Sequence, residues 1–221
     1  MPKVSITNMD HINSVCHHYI AELRDRDIQQ DPMRFRKNLE RIATLIGFEL
    51  SKELAYQPAS VTSPLGIAKT KKIEDTLVIA SILRAGLTMH DGLLAVFDRA
   101  ENAFVSAYRK ATSDHSVEVK IEYMACPEID GKTILLTDPM LATGKSLVLA
   151  YEALLKNGTP KQLFVIAALA SEEAISYLQA QLPNGTRLFV GAIDPSLNAK
   201  SYIVPGFGDA GDLAFGPKKS L

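Results

Sequence analysis

From Asn8 to Asp25 the apolar residues Ile12, Val15, Cys16, Tyr19, Ile20 and Leu23 recur at helical spacing, leaving Glu22, Arg24 and Asp25 for solvent. That spacing predicts an amphipathic helix. A second helix is predicted after Asp31-Pro32, because proline suits a first helical turn and Phe35, Leu39, Ile42, Ala43, Ile46 and Leu50 share one face. Polar residues from Gln57 to Thr70 read as a loop that ends the helical region. Beyond them the pattern changes to short apolar runs: TLVIAS at Thr76, AFVSAY at Ala103, TILLTD at Thr133, LFVIAAL at Leu163 and RLFVGA at Arg187. Such runs read as strands buried on both faces, and the helical segments between several of them are the mark of a parallel sheet. Val117 to Lys132 instead alternates apolar and polar residues before a turn signal, which predicts an extended arm beside the sheet. The expected fold class is α/β: an open, mostly parallel sheet flanked by helices, with an amino-terminal helical part and an extended β-arm. No linker divides the chain, so residues 1–221 are expected to form a single domain, with helices over 1–56 and a sheet core over 70–221.

Composition narrows the partners. A hydrophobic fraction of 47% supplies a core, and a net charge of −1 with interspersed signs offers no basic face for nucleic acid and no polybasic end for a membrane. No apolar stretch approaches the ~20 residues of a spanning helix. Cys16 and Cys126 are too few and too far apart for a metal cluster or a disulfide framework, and the five histidines show no paired metal spacing. No protein-held metal site is expected, and a reduced, cytoplasmic setting fits best.

The candidate chemistry lies in TDPMLATGKS, Thr137 to Ser146, which follows a buried strand and opens a helix whose stripe is Leu147, Ala150, Tyr151, Leu154 and Leu155. Gly144-Lys145-Ser146 match the end of the phosphate loop G-x-x-x-x-G-K-[ST], but Pro139 stands where the first glycine is required. Proline fixes φ and has no N–H to give. What remains is a close backbone approach at Ala142-Thr143-Gly144 and a helix N-terminus with unpaired N–H groups, where a phosphate monoester is welcome. The competing reading makes Asp138-Pro139 a plain turn and Ser146 a helix cap. An acid beside an anion nest makes sense when the ligand also carries hydroxyls: Asp138 accepts from a sugar diol while the backbone holds the phosphate. A phosphorylated ribose satisfies both. Near the end, Gly206, Gly208 and Gly211 spell G-x-G-x-x-G, yet only ten residues follow, so a dinucleotide fold is excluded and a tight glycine-rich loop is the better description.

The segment TDPMLATGKS closely resembles the phosphoribosyl diphosphate motif of uracil phosphoribosyltransferases. SILRAGLTMHDGLL at Ser81, SAYRK at Ser106 and SYIVPGFGDAGDLAFG at Ser201 agree with the same family in the same order, and LRDRDI and MRFR near the amino terminus are also similar to it. The resemblance implies transfer of phosphoribose to uracil in pyrimidine salvage. It places Asp138, Pro139, Met140, Leu141, Ala142, Thr143, Gly144, Lys145 and Ser146 around the donor's ribose phosphate, Arg84 and Arg109 at its diphosphate, and Asp209 close to the donor. Arg84, Arg109 and Asp138 are the implied catalytic residues, and uracil would be read by main-chain groups at Ile203, Gly208, Asp209 and Ala210. It further implies Mg2+ carried by the donor's diphosphate, a homo-oligomer (dimer or tetramer), and, as in some members, a GTP effector. Without the resemblance Arg84 reads as a surface salt bridge and Arg109 as a charge at an element's end. Lys145 in the loop, Ser171 where the family has proline, and Ser81, Thr88 and His90 beside Arg84 depart from the family pattern. They leave open a second reading, a non-catalytic or altered-base relative that binds nucleotides as a sensor.

Overall fold

The computed structural model describes residues 4–111 and 117–217. In chain order the strands and helices are β1 (Val4–Asn8), α1 (Cys16–Arg24), α2 (Pro32–Ser51), β2 (Tyr56–Ser63), β3 (Gly66–Ile73), β4 (Leu77–Leu83), α3 (Gly86–Val96), β5 (Glu101–Ala111) and β6 (Val117–Ala125). There follow β7 (Thr133–Thr137), β8 (Met140–Leu141), α4 (Lys145–Leu154), β9 (Gln162–Ser171), α5 (Glu172–Gln181), β10 (Thr186–Asp194), β11 (Ser196–Leu197), β12 (Ile203–Val204) and α6 (Ala210–Phe215).

The unbroken apolar runs are explained by the sheet they make. Its order is β1-β10-β9-β7-β4-β5-β6, with β8 added beside β9. All these pairings are parallel except β5 with β6, the extended arm, which runs antiparallel along the edge. Successive side chains of a strand point to opposite faces, and here both faces are covered. Ile79, Leu135, Phe164, Ile166 and Phe189 meet Ile20, Leu23, Phe35, Leu39, Ile42, Ile46, Met89 and Leu93 of α1, α2 and α3. Val78, Ala80, Ile134, Leu136, Val165 and Val190 meet Leu147, Val148, Leu154, Ala174 and Leu178 of α4 and α5. Helix α2 begins at Pro32, as the Asp31-Pro32 signal implies, and the Asp31 side chain caps it by accepting from the N–H groups of Met33 and Arg34. It crosses α3 closely: a Cβ added to Gly92 would lie 2.2 Å from the Glu40 carbonyl oxygen.

Two segments differ from the expectation. The amino-terminal part opens with a strand, β1, which extends the sheet beside β10. Only Val4 of its five residues is buried, so it carries no periodic signal. The expected loop from Gln57 to Thr70 is a hairpin: β2 and β3 pair antiparallel in register from Tyr56 with Ile73 to Ser63 with Gly66 and, among the described residues, pair with no other strand. Neither of its faces is buried, so alternation is absent, although Val61, Thr62, Ile67 and Thr70 suit an extended chain.

The topology sets the place for a ligand. From β4 the chain moves to β5 and β6 on one side, and from β7 to β9 and β10 on the other, so the winding reverses between the neighbours β4 and β7. Ligands of open parallel sheets bind at this reversal, outside the carboxyl ends of the strands. Ser81 pairs with Thr137 there, which brings the segment leading to Arg84 beside the one leading to Asp138.

Candidate active site

The loop after β7 is held from below. Pro139 contributes its carbonyl oxygen to the N–H groups of Ala168 and Leu169, and Met140 donates to Oδ1 of Asp138 at 3.3 Å. Ser171, fully buried, works twice: its hydroxyl donates to the Ala142 carbonyl at 2.5 Å and its oxygen accepts from the N–H of Ala174 at 2.9 Å, capping α5. The serine that departs from the family pattern thus joins the loop to the next helix. Gly144 has φ +74°, in the left-handed region that favours glycine, and serves as the N-cap of α4 without a side-chain cap. Among the described residues, none accepts a hydrogen bond from the backbone N–H of Thr143, Gly144, Lys145 or Ser146. A polar-lined cavity of about 70 Å³ opens here, bounded by Asp138, Met140 to Gly144, Ser146 and Leu147. Lys145 is exposed at the first position of α4.

The turn after β4 carries Arg84, preceded by a cis peptide bond. Its Nη2 donates to Oδ1 of Asp212 at 2.8 Å and its Nη1 to the Gly216 carbonyl at 3.1 Å. Beneath this turn, Ser81 and Nδ1 of His90 lie 2.7 Å apart, and Nε2 of His90 lies 2.8 Å from Oδ1 of Asn102. The Asn102 oxygen can only accept, so Nε2 carries the proton and Nδ1 accepts from the Ser81 hydroxyl. His90 also packs on Phe104, and burial lowers its pKa from the usual value, so the ring is held neutral. Thr88 donates its hydroxyl to the Ala85 carbonyl at 2.8 Å. Ser81, His90 and Asn102 therefore form one chain of hydrogen bonds between β4, α3 and the start of β5, and Thr88 separately ties the first turn of α3 to Ala85, the residue after Arg84.

The carboxy-terminal segment closes over this end. Ile203 is buried in β12, which pairs with β11, and the Val204-Pro205 bond is cis. Gly206, with φ +54°, would set a Cβ 2.2 Å from the Ile203 carbonyl oxygen, so no other residue fits. Its N–H donates to Oδ2 of Asp194 at 2.9 Å and its carbonyl accepts from Arg24 at 3.3 Å. Phe207 meets Phe35 edge to face, with ring centroids 5.5 Å apart, and Arg36 donates to the Ala214 carbonyl at 2.6 Å. Among the described residues no acceptor serves the N–H groups of Gly208 and Ala210. Asp209 caps α6 by accepting from the N–H of Asp212 at 2.9 Å.

Arg84 and the loop of Asp209 and Ala210 are thus brought together directly, and Asp138 to Ser146 lies at the adjoining strand end. Arg109 is placed in β5, its backbone opposite Val119; its side chain lies outside the described residues. Three residues to which sequence reasoning gave no part in the site also shape it: Arg24, expected to face solvent but paired with Asp194, together with Asp194 itself and Asp212. The available signal was position, since Asp194 ends β10 much as Asp138 follows β7, and Arg24 falls within LRDRDI.

The chain matches the family model described as uracil phosphoribosyltransferase over residues 12–217. It belongs to the uracil phosphoribosyltransferase family. A curated uracil phosphoribosyltransferase of Porphyromonas gingivalis is 47% identical over 206 residues, covering 93% of this chain and 95% of the relative. One from Pyrococcus furiosus is 37% identical over 200 residues, covering 89% and 84%. A solved structure, the AQ2163 protein from Aquifex aeolicus, superposes with a TM-score of 0.85 at 29% identity, covering 96% of this chain and 98% of that one.

Burial pushes the Cys16 thiol up to about 11, with Asp10 adding to the shift, and raises that of Cys126, so both thiols stay protonated near neutrality. Among the described residues no group of three His, Cys, Asp or Glu side chains could hold a metal ion, and no helix is long and apolar enough to cross a membrane.

Proposed function

We infer that the protein transfers the phosphoribosyl group of 5-phospho-α-D-ribose 1-diphosphate to N1 of uracil, giving UMP and diphosphate. The observation that carries the reading is the run of backbone N–H groups from Thr143 to Ser146, unmatched by any acceptor among the described residues, in the cavity-lining loop that follows β7, where the winding of the sheet reverses.

In this reading the 5-phosphate of the donor takes those N–H groups and the hydroxyls of Thr143 and Ser146, with Lys145 adding charge. Asp138 accepts from the ribose hydroxyls. As the C1–O bond breaks, positive charge builds on the ribose and negative charge on the departing diphosphate, which Arg84 and Arg109 neutralise. Magnesium suits the donor's diphosphate better than a protein cage, given the absence of a three-ligand cluster among the described residues. When bound there, it draws negative charge from the leaving group. Uracil presents acceptor, donor, acceptor along O2, N3 and O4, and the main chain at Ile203, Gly208, Asp209 and Ala210 reads that order. Cytosine reverses part of it and leaves buried groups unpaired.

The same proposal includes a single domain over residues 1–221, a cytoplasmic location, a GTP effector and a homo-oligomer. The hairpin of β2 and β3 supports the last, since it exposes Tyr56, Val61, Leu65 and Ile67. Sedimentation across concentration and activity with and without GTP test those parts.

The central experiment mixes protein, magnesium, the phosphoribosyl donor and each nucleobase in turn and follows nucleotide formation. UMP formed from uracil alone is the expected result. Tight binding of the donor or UMP without turnover would move the protein to the second reading, a nucleotide sensor. Arg109→Ala is expected to depress turnover without unfolding the chain, and unchanged kinetics would remove Arg109 from the site.

A further inference from the structure

We propose that Asp212 is a positioning residue for Arg84, orienting its guanidinium for the donor's diphosphate and joining it to the loop that receives the base. The proposal rests on the reading of Arg84 as a diphosphate-binding residue, and nothing in that reading requires Asp212.

A guanidinium has five N–H donors in a rigid plane. Here two protein acceptors engage two different nitrogens: Oδ1 of Asp212 takes Nη2 at 2.8 Å and the Gly216 carbonyl takes Nη1 at 3.1 Å. Two bonds from separate nitrogens fix the plane as well as the position, which a single contact could not do. Three N–H groups remain, on Nε and one on each Nη, enough to meet diphosphate oxygens. The side chains are partly exposed, at 38% for Arg84 and 39% for Asp212, so solvent screens the pair in part.

Asp212 is itself held by the base loop. Its N–H donates to Oδ1 of Asp209 at 2.9 Å. Between them, Gly211 lies so close that an added Cβ would sit 3.2 Å from Oδ1 of Asp209 and 3.3 Å from Nη2 of Arg84. A side chain at the third glycine of G-x-G-x-x-G would therefore press on both Arg84 and Asp209. A continuous line of contacts runs from Asp209, beside the base site, through Asp212 to Arg84 at the donor site.

The alternative role for such a contact is a latch that occupies Arg84 and has to be displaced by the donor. The two roles predict opposite signs. Steady-state kinetics of Asp212→Ala are expected to show KM for the donor raised about fivefold, the scale of a partly exposed ion pair, with KM for uracil changed much less. Asp212→Asn retains an acceptor oxygen and is expected to fall between Asp212→Ala and the parent, which separates loss of the contact from loss of the fold. In an Arg84→Ala background, Asp212→Ala is expected to add nothing to the donor KM, because its partner is gone. A lowered or unchanged donor KM in Asp212→Ala, or a full effect that persists without Arg84, overturns the proposal. If Arg84→Ala raises the donor KM while Asp212→Ala does not, only the role of Asp212 falls. If Arg84→Ala leaves the donor KM unchanged, the diphosphate reading of Arg84 falls and takes this proposal with it.

Discussion

Arg24 and Asp194, 170 residues apart in the chain, meet in a two-pronged ion pair with distances of 2.7 and 2.8 Å. The carboxylate side chain is only 6% exposed. Between them they also hold both polar backbone groups of Gly206, so the turn that leads from Ile203 to Gly208 is set by helix α1 and strand β10 together.

Removing the arginine leaves a buried carboxylate without its counter-charge, which costs about 3 kcal/mol or more. Arg24→Met is therefore expected to lower stability by that order in urea unfolding. On the proposed reading, which puts this turn beside the base, it should also raise KM for uracil more than KM for the phosphoribosyl donor. Equal changes in both KM values would count against this division.

At Gly144 the backbone has φ +74°, and an added Cβ would meet Leu178 at 3.1 Å and Tyr177 at 3.2 Å. Gly144→Ala combines left-handed strain of about 1–2 kcal/mol with crowding against α5. Weaker binding of the donor, read as a raised KM, should accompany a lower melting temperature. An unshifted KM would mean that the loop tolerates a side chain where the phosphate is placed.

Ser171→Ala removes both the hydrogen bond to Ala142 and the cap on α5. The loss of a cap and a buried hydrogen bond is expected to cost about 1–3 kcal/mol. Chemical denaturation reads the stability term. Donor titration reads the loop, since the freed Ala142 carbonyl no longer anchors it, and unchanged affinity would show that the Ala142 bond plays no part in donor binding.

His90 couples stability to pH. Its folded pKa lies below the ordinary 6.5 because burial disfavours the charged ring, with the Asn102 hydrogen bond and the Asp91 charge opposing the shift. Above about pH 7 the ring is neutral in both folded and unfolded chains and contributes no slope. As pH falls below 6.5 the unfolded chain takes up a proton first, so stability declines toward the depressed folded pKa, by at most about 1.4 kcal/mol per pH unit. His90→Gln is expected to flatten the stability profile between pH 7 and 5.5. A profile parallel to that of the parent would show that His90 is not the group responsible.

Much of the architecture was legible along the chain because its signals are local. The apolar runs that became β4, β7, β9 and β10 needed only their own composition, and the Asp31-Pro32 start of α2 needed only a cap and a ring. The backbone form of the loop from Asp138 to Ser146 was legible for the same reason: strand, glycine and helix follow one another within a few residues. The hairpin of β2 and β3 and the edge strand β1 escaped that reading, since neither buries a face regularly enough to leave a period.

What the chain determined by itself was the set of buried strands, the helices that cover them and the strand-loop-helix order around Gly144, all written in neighbouring residues by hydrophobic period and backbone chemistry. Only the tertiary structure decided that Arg24 would find Asp194, that Ser81, His90 and Asn102 would line up beneath the Arg84 turn, and that Asp212 would take hold of Arg84. Those pairings join charges and hydrogen-bonding groups from distant parts of the chain. Such partners are chosen by where the sheet and helices pack, which no local pattern encodes.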